Sequence, residues 1–214
     1  MEIIVKKGKL TETKTQAIVL AFCEAEKKLS GLKTEIDRNN GGLLTEVLKS
    51  GDFTGKPAQV SVIYPCGKVP YKRIALVGLG KKQELNPEKI RRAFARVLQH
   101  LRGLDVEEAA TTVDSDLLPG QKEKVIAAVA EGATLGLYRY TPYKTVGRDE
   151  LKNMRRLTIV SGSEDYSLIR QEIVKTNIIT QAVCFARDLV SAPGNEMTPA
   201  IMASHAVKIA KRKK

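Results

Sequence analysis

A run of tyrosines and basic residues from Tyr138 to Arg156 is the stretch of this sequence best suited to binding chemistry. It reads YRYTPYKTVGRDELKNMRR, with three tyrosines and six basic residues against two acidic ones. Single-stranded nucleic acid is held by stacking rings and cations together. The stretch therefore predicts nucleic-acid contacts from Tyr138, Arg139, Tyr140, Tyr143, Lys144 and Arg148. The alternative is an exposed connector whose tyrosine rings cover the edge of a core and whose lysine stems lie along it.

The segment GLGKKQ, from Gly78 to Gln83, follows a predicted strand and invites comparison with phosphate-binding loops. A Walker loop needs four residues between its first glycine and the GK[ST] signature, and the dinucleotide fingerprint needs a third glycine where Gln83 stands. The segment matches neither pattern. We therefore do not predict a nucleotide loop here.

Residues that could hold a metal or attack a substrate are few and scattered. His100 and His205 lie on predicted helices without a second histidine at ligand spacing, which argues against a histidine zinc site or a Ser/His triad. Cys23, Cys66 and Cys184 lie far apart in an odd number, so neither a disulfide framework nor a cysteine zinc site is indicated. Cys184 is predicted to be a small core residue. We predict no catalytic residue and no metal ligand in this chain.

The composition is that of a globular protein of 214 residues, with 43% hydrophobic and 28% charged residues. The net charge of +12 favours an anionic partner such as DNA. The N-terminal sequence lacks the apolar stretch of a signal peptide, and no later run approaches membrane-spanning length. The sequence therefore predicts a cytoplasmic protein without a membrane partner.

Strand and helix signals alternate along the chain and predict an α/β fold of three layers, α/β/α, around a mixed and mostly parallel sheet. A turn between Pro65 and Pro70 predicts that the strands on either side of it pair in antiparallel fashion. The predicted strands are Glu2–Val5, Ala17–Phe22, Gln59–Pro65, Lys72–Gly80, Glu107–Val113 and Arg155–Gly162. The predicted helices are a short one within Asp37–Phe53, then Asn86–Gly103, Gln121–Tyr138 and Glu164–Val190.

Two of these helices carry patterns that predict how they pack. Gly132 and Gly136 stand four residues apart, and in a chain without membrane spans this spacing predicts close packing of the helix on a sheet. The long helix from Glu164 to Val190 carries two neighbouring apolar stripes. So wide an apolar face predicts burial on more than one side.

Four motifs in a fixed order carry a resemblance to a known family. They are DFTGKPAQ (Asp52–Gln59), RIALVGLGKK (Arg73–Lys82), EGATLGLYRYTPYK (Glu131–Lys144) and ARDLVSAPGNEMTPA (Ala186–Ala200). Together they resemble the N-terminal portion of the leucyl aminopeptidase family, cytosolic metallopeptidases that remove N-terminal residues from peptides. The resemblance runs across most of residues 1 to 210, with small departures at Tyr140, Ser191 and Gly194.

The resemblance implies a division into three parts. Residues 1–162 would form a macro-domain-like α/β domain, residues 163–192 a long connecting helix, and residues 193–214 the start of a catalytic domain that is otherwise missing. The stretch from Cys184 to Ala200 is then a hinge between domains, with a new helix beginning at Thr198 and Pro199. Asp188 is expected to pair with Arg187 or to order the helix end.

The resemblance also implies the chemistry of the parent enzyme and the partners of this chain. The family uses two divalent metals, zinc or manganese, held in NTDxEGRL-type and KGxxFDxGG-type segments, and neither segment occurs here. We therefore expect an inactive, non-catalytic domain that binds its own catalytic domain and serves assembly of a hexamer. Some bacterial members bind DNA, which is one alternative. The other is a macro-type ADP-ribose site, with Asn39, Asn40, Gly41 and Gly42 at a helix start as its anion-binding candidates.

Overall fold

The strands of this chain lie side by side in a six-stranded sheet of order β1-β6-β5-β2-β4-β3. The structure, a computed structural model, describes residues 1–26, 28–65, 67–114, 117–145, 147, 151–162 and 164–212. The strands are β1 Glu2–Lys7, β2 Ala17–Cys23, β3 Val60–Ile63, β4 Ile74–Gly80, β5 Glu108–Thr111 and β6 Arg156–Ser161. The helices are α1 Leu32–Asn39, α2 Leu43–Ser50, α3 Pro87–Gly103, α4 Lys122–Leu137, α5 Tyr166–Ser191 and α6 Pro199–Arg212.

Every ladder of the sheet is parallel except the one between β3 and β4, which is antiparallel. This confirms the mixed, mostly parallel sheet and the antiparallel pair. Strand β4, which lies between β2 and the edge strand β3, reads IALVGLG and is buried at every residue. Such a continuous apolar run is what a strand covered on both faces requires. Strand β5 is shorter than predicted, since it ends at Thr111.

Alternate residues of β2 enter two separate cores. Ala17 and Val19 pack with α3, α4 and α5 on one face of the sheet. Ile18 and Leu20 pack with α1 and α2 on the other face. Because side chains of a strand alternate between its faces, the sheet carries a helical layer on each side. The three-layer prediction is confirmed.

Helix α3 begins and packs as its sequence predicts. The Asn86 side chain accepts a 3.0 Å hydrogen bond from the Lys89 backbone N–H, and Pro87 is the first helical residue. This cap satisfies an amide that has no partner within the helix. The predicted apolar face is buried, at Ile90, Phe94, Val97 and Leu101.

The glycines of α4 allow it to lie directly against α3. A Cβ added at Gly132 would stand 2.3 Å from the Arg91 carbonyl oxygen, and one at Gly136 would stand 2.5 Å from the Ala95 Cβ. The helix is closely packed, as predicted, but at these two glycines its neighbour is helix α3 and not the sheet.

Between β2 and β3 the structure has two helices where one was predicted. Helix α2 is the predicted one, with Leu44 buried and Gly51 in the left-handed conformation at its end. Helix α1 was not predicted, because among its eight residues only Ile36 is buried. Its sequence, LKTEIDRN, is otherwise too polar to show an apolar face.

Candidate functional site

The first two motifs form one contact. The loop at Gly55–Gln59 lies on the backbone of β4, where the Gly78 N–H donates to the Gln59 carbonyl at 2.8 Å and the Gly80 N–H donates to the Gly55 carbonyl at 2.9 Å. A Cβ at Gly78 would lie 2.0 Å from the Lys56 carbonyl oxygen. The glycines of GLGKK are therefore needed for this close approach, which accounts for them without a nucleotide.

The Gln59 side chain holds the same loop together. Its Oε1 accepts from the Thr54 backbone N–H at 3.0 Å, from Thr54 Oγ1 at 3.1 Å and from the Lys56 N–H at 3.3 Å. Its Nε2 donates to the Asp52 carbonyl at 3.1 Å. One amide thus links both ends of DFTGKPAQ, and the motif has a structural role.

The last two motifs also contact each other, at the C-terminus of α4. The final carbonyls of a helix have no partner within it, and here side chains of α3 and α5 supply the donors. Gln99 Nε2 donates to the Gly136 carbonyl at 2.7 Å, Arg102 Nη1 to Leu137 at 3.0 Å, and Arg187 Nη1 to Leu135 at 3.1 Å. The two guanidinium groups also suit the negative end of the helix dipole.

Tyr138, the residue after α4, closes this contact. Its hydroxyl donates to Asp188 Oδ1 at 2.8 Å, and the Arg187 guanidinium lies over its ring at 5.4 Å from the centroid. Partial desolvation, and then the Asp188 hydrogen bond, raise the pKa of Tyr138 above its usual 10.0. The expected pairing of Asp188 with Arg187 is thus replaced by a bond to Tyr138, because Arg187 donates to α4. At the helix end the Asp188 backbone carbonyl makes the ordinary helical bond, accepting from the Ala192 N–H at 3.1 Å, so a special ordering role for Asp188 there stays a prediction.

Helix α5 is buried on one side and open on the other. Its buried residues are Ile169, Ile173, Thr176 and Thr180. The expectation that its wide apolar face is buried on more than one side is wrong for this chain, because no other element of the described residues covers the second side. Cys184, expected in the core, is only half-buried. Burial is nevertheless enough to raise the pKa of its thiol above 9.0.

The exposed large apolar side chains of α5 and of the following helix α6 are together called the α5–α6 surface. The two helices touch where the rings of Phe185 and His205 meet at 5.7 Å. Helix α6 begins at Pro199, with the Ile201 N–H donating to Thr198 Oγ1, as predicted. The surface consists of large apolar side chains that are exposed: Val174, Ile178, Ile179, Val190, Ile201, Met202, Val207 and Ile209.

The predicted nucleic-acid residues fall into different surroundings. Tyr138 is engaged with Asp188 and Arg187, as described. Arg139, Tyr143 and Lys144 are exposed. The rings of Tyr140 and Tyr143 lie 6.1 Å apart in a tilted pair. Arg148 lies outside the described residues.

The predicted anion-binding residues lie at the turn between α1 and α2. Asn39 ends α1 and Gly42 precedes α2. The Asn40 side chain is 2% exposed and donates to the Ile36 carbonyl at 2.6 Å and to the Tyr71 hydroxyl at 3.0 Å. At the start of α2, the carboxylate of Asp37 already accepts from the Thr45 N–H and hydroxyl. Gly41 and Gly42 have left-handed φ angles of 66° and 86°.

Two further findings concern ligands and membranes. Within the described parts of the chain, no three His, Cys, Asp or Glu side chains gather where a metal ion could bind. None of the described helices is both long enough and apolar enough to cross a bilayer.

These observations define a class of protein: a three-layer α/β domain whose last strand leads into a long, half-covered helix. The model of the cytosol aminopeptidase family's N-terminal domain matches residues 18–146. The chain therefore belongs to the cytosol aminopeptidase family. In chain order, the match covers strands β2, β3, β4 and β5 and helices α1, α2, α3 and α4.

Curated relatives agree with this family. A probable cytosol aminopeptidase of Alkaliphilus oremlandii is 32% identical over 214 residues, and the cytosol aminopeptidase of Pseudomonas aeruginosa is 30% identical over 212 residues. These alignments cover 98% and 99% of this chain and 42% of each relative. The chain thus spans less than half the length of these relatives.

Solved structures share the fold. A mutant tomato leucine aminopeptidase has a TM-score of 0.81 at 23% identity, covering 99% of this chain and 42% of that one. The bottromycin maturation enzyme BotP has a TM-score of 0.69 at 21% identity, covering 93% and 38%. The sheet and its helices are thus those of the leucine aminopeptidase N-terminal domain. The likeness to a macro domain stays a prediction.

Proposed function

We propose that this chain is the non-catalytic N-terminal domain of a leucine-type aminopeptidase and that its α5–α6 surface binds the catalytic domain of the same protein. Family membership supports the first part, together with the length of the chain, which covers 42% of its curated relatives. The division into residues 1–162, 163–192 and 193–214 belongs to this proposal.

The observation that carries the proposal is the exposure of the α5–α6 surface. Val190 is 86% exposed and Ile178 is 66% exposed. Single exposed apolar side chains are ordinary, whereas a contiguous group of them marks an interaction site. Here four exposed large apolar side chains lie on α5 and four on α6, the next helix along the chain, and the junction of α4 with Tyr138 and Arg187 holds α5 in place.

The parent enzyme would release N-terminal amino acids from peptides in the cytosol with two divalent metals, zinc or manganese. Those metals would polarise the peptide carbonyl and activate a water. The present chain would contribute no ligand to them, since the described residues offer no metal-binding cluster. Its own task would be docking and, in the whole protein, contacts within a hexamer.

Two measurements test the proposal. The purified chain should not hydrolyse leucine p-nitroanilide with manganese present, and robust metal-dependent turnover would show that it is catalytic. For docking, the chain is joined to the part of the Alkaliphilus oremlandii relative that lies C-terminal to the matched region. The joined protein should hydrolyse the anilide and assemble, as measured by light scattering.

Variants of the joined protein show which surface docks. Ile178→Ser combined with Val190→Ser should lower its activity and its assembly, because both remove apolar contacts. Tyr64→Ser is the matched control, since Tyr64 is 64% exposed but lies at the end of β3. Equal behaviour of the double variant and the control would contradict docking through α5.

A second candidate function is binding of single-stranded DNA by the connector after α4. The tilted ring pair of Tyr140 and Tyr143 beside exposed Arg139 and Lys144 favours it. A gel shift that weakens with salt, and that Arg139→Gln with Lys144→Gln abolishes, would support it. Absence of any shift at low salt would remove it.

A further inference from the structure

A cleft of about 710 Å³ opens at the carboxyl ends of β2 and β5. The ladder between these strands ends at Val19 and Thr111, whereas β2 continues to Cys23. The last residues of β2 therefore run past the end of β5. The cleft lies beside them, and its volume is within the range of small-molecule sites.

The chain path explains why a cleft forms at this position. After β2 the chain turns to α1, whose Ile36 packs with Ile18 and Leu20 on one face of the sheet. After β5 it turns to α4, whose Val125 and Val129 pack on the opposite face. The connections from two adjacent parallel strands thus diverge. In open α/β sheets this is the topological switch point, where ligands bind.

The floor of the cleft is apolar. The apolar lining residues that keep some exposed surface are Ala21, Leu32, Val113 and Leu117, whereas Val19, Phe94, Val125 and Val129 are at most 2% exposed. Such a floor favours a ligand with an apolar body, because burial of that body removes apolar surface from water. None of the predicted anion-binding residues Asn39, Asn40, Gly41 and Gly42 lines this cleft.

The rim of the cleft carries charges of both signs. Its described cations are Lys28, Lys33 and Lys82, and its described carboxylates are Glu24, Glu26 and Asp114. Glu26 and Lys33 satisfy each other at 2.6 Å, and Glu26 also accepts from the Cys23 N–H at 3.0 Å. Glu24, Lys28 and Lys82 have no ion-pair partner among the described residues. Glu24 and Lys82 lie near the ends of the neighbouring strands β2 and β4, where the Glu24 N–H donates to the Gly80 carbonyl at 2.8 Å, and both can take a ligand group of opposite charge.

From this lining we infer that the cleft binds a short apolar peptide in its zwitterionic form. The peptide carboxylate lies at Lys82, the peptide ammonium at Glu24, and the apolar side chains against the partly exposed Val113 and Leu117. A purely anionic ligand is less suited to the rim, because the carboxylate of Glu24 would repel it. The inference stands on the cleft and does not depend on the proposed function.

The probes that test it differ only in their terminal charges. Leu-Leu carries both charges, N-acetyl-Leu-Leu lacks the ammonium, and Leu-Leu-amide lacks the carboxylate. Titration of the ¹⁵N-labelled chain with Leu-Leu should shift the amides of Cys23 to Gly31 and of Thr112 to Asp114 in a saturable manner. Absence of saturable shifts there up to about 10 mM, a concentration at which even millimolar affinity saturates, would overturn the inference.

Variants of the chain test which residue binds each terminal charge of the peptide. Lys82→Gln should lower the binding affinity for Leu-Leu and for N-acetyl-Leu-Leu by about two- to fivefold, and it should leave the affinity for Leu-Leu-amide unchanged. Glu24→Gln should lower the binding affinity for Leu-Leu and leave the affinity for N-acetyl-Leu-Leu unchanged. Lys81→Gln is the matched control, since Lys81 pairs with Glu84 and does not line the cleft. Equal losses for Lys81→Gln and Lys82→Gln would overturn the inference, as would tighter binding of adenosine monophosphate than of Leu-Leu.

Discussion

Tyr138 and Asp188 stand 50 residues apart in the chain and are joined by a 2.8 Å hydrogen bond from the tyrosine hydroxyl to the carboxylate. Tyr138 directly follows α4, and Asp188 lies in the last turn of α5. With Arg187, which donates to the Leu135 carbonyl, the pair fixes the far end of α5 to the end of α4. The C-terminal half of α5 is therefore held in place although much of its surface is exposed.

Removal of the Tyr138 hydroxyl should increase local opening at the C-terminal end of α5. Tyr138→Phe keeps the ring under Arg187 but removes the donor to Asp188. Backbone amides from Val183 to Ser191 should exchange with solvent several-fold faster by hydrogen–deuterium exchange, because local opening then breaks fewer contacts. Tyr64→Phe is the control and should leave exchange unchanged. Unaltered exchange in Tyr138→Phe would show that the bond does not hold α5.

A methyl group between α3 and α4 should destabilise the domain. Gly132→Ala places a Cβ 2.3 Å from the Arg91 carbonyl oxygen, so the helices must separate. We expect the free energy of unfolding to fall by about 1–3 kcal/mol. Gly103→Ala is the matched control, since nothing lies within 4 Å of its Cβ, and it should be neutral or stabilising. Urea denaturation measures the free energy of unfolding of both variants. Equal changes for Gly132→Ala and Gly103→Ala would contradict the close packing of α3 and α4.

Tyr71 should give the domain a stability that is lost at high pH. Burial raises the pKa of Tyr71 above its ordinary 10.0, while the Asn40 hydrogen bond opposes this. A raised pKa in the folded state means that the contribution is complete below pH 10 and is lost as the pH rises through the folded value. Tyr71→Phe should cost about 1 kcal/mol at pH 7 by loss of the Asn40 bond.

The gap between wild type and Tyr71→Phe in free energy of unfolding should then narrow above pH 10. Guanidinium denaturation at pH 7, 9 and 10.5 measures it. Tyr64→Phe serves as the control, since Tyr64 is exposed and should follow the wild type throughout. A gap that stays constant with pH would show that Tyr71 does not titrate differently in the folded state.

The α5–α6 surface should be detectable in the chain alone. Ile178→Ser with Val190→Ser should lower the fluorescence of the dye ANS bound to the native chain, because ANS reports exposed apolar surface. The free energy of unfolding should change by less than about 0.5 kcal/mol per site, since these side chains are exposed. A large loss of stability would show that they pack inside the domain.

The sequence predicts the parts of the fold whose patterns are strong. Strand β4 is apolar throughout, and α3 combines the Asn86 cap with a regular apolar face, so both were predicted with small boundary errors. Helix α1 was missed because a helix with one buried residue, Ile36, has no periodic apolar signal. The pattern of α5 was read correctly as a wide apolar face, but periodicity cannot say whether another element of the chain covers it.

The candidate site was less predictable, because its contacts join distant segments. The motifs at Asp52–Gln59 and Arg73–Lys82 were recognised separately, whereas their packing depends on backbone approach at Gly78. Likewise, the sequence predicts that Asp188 pairs with Arg187 or orders the helix end, since local spacing does not reveal a tyrosine that follows another helix. The cleft between β2 and β5 follows from strand order, which the succession of elements along the chain left undetermined.

The length of α5 sets a distance that the rest of the chain cannot alter. At 1.5 Å per residue its 26 residues span about 39 Å. One end is buried against the sheet through Ile169, and the other is clamped to α4 by Arg187 and Tyr138. Two anchored ends make the helix a rigid spacer, so a partner seated near Val190 is kept at a constant separation and angle from the cleft at Cys23.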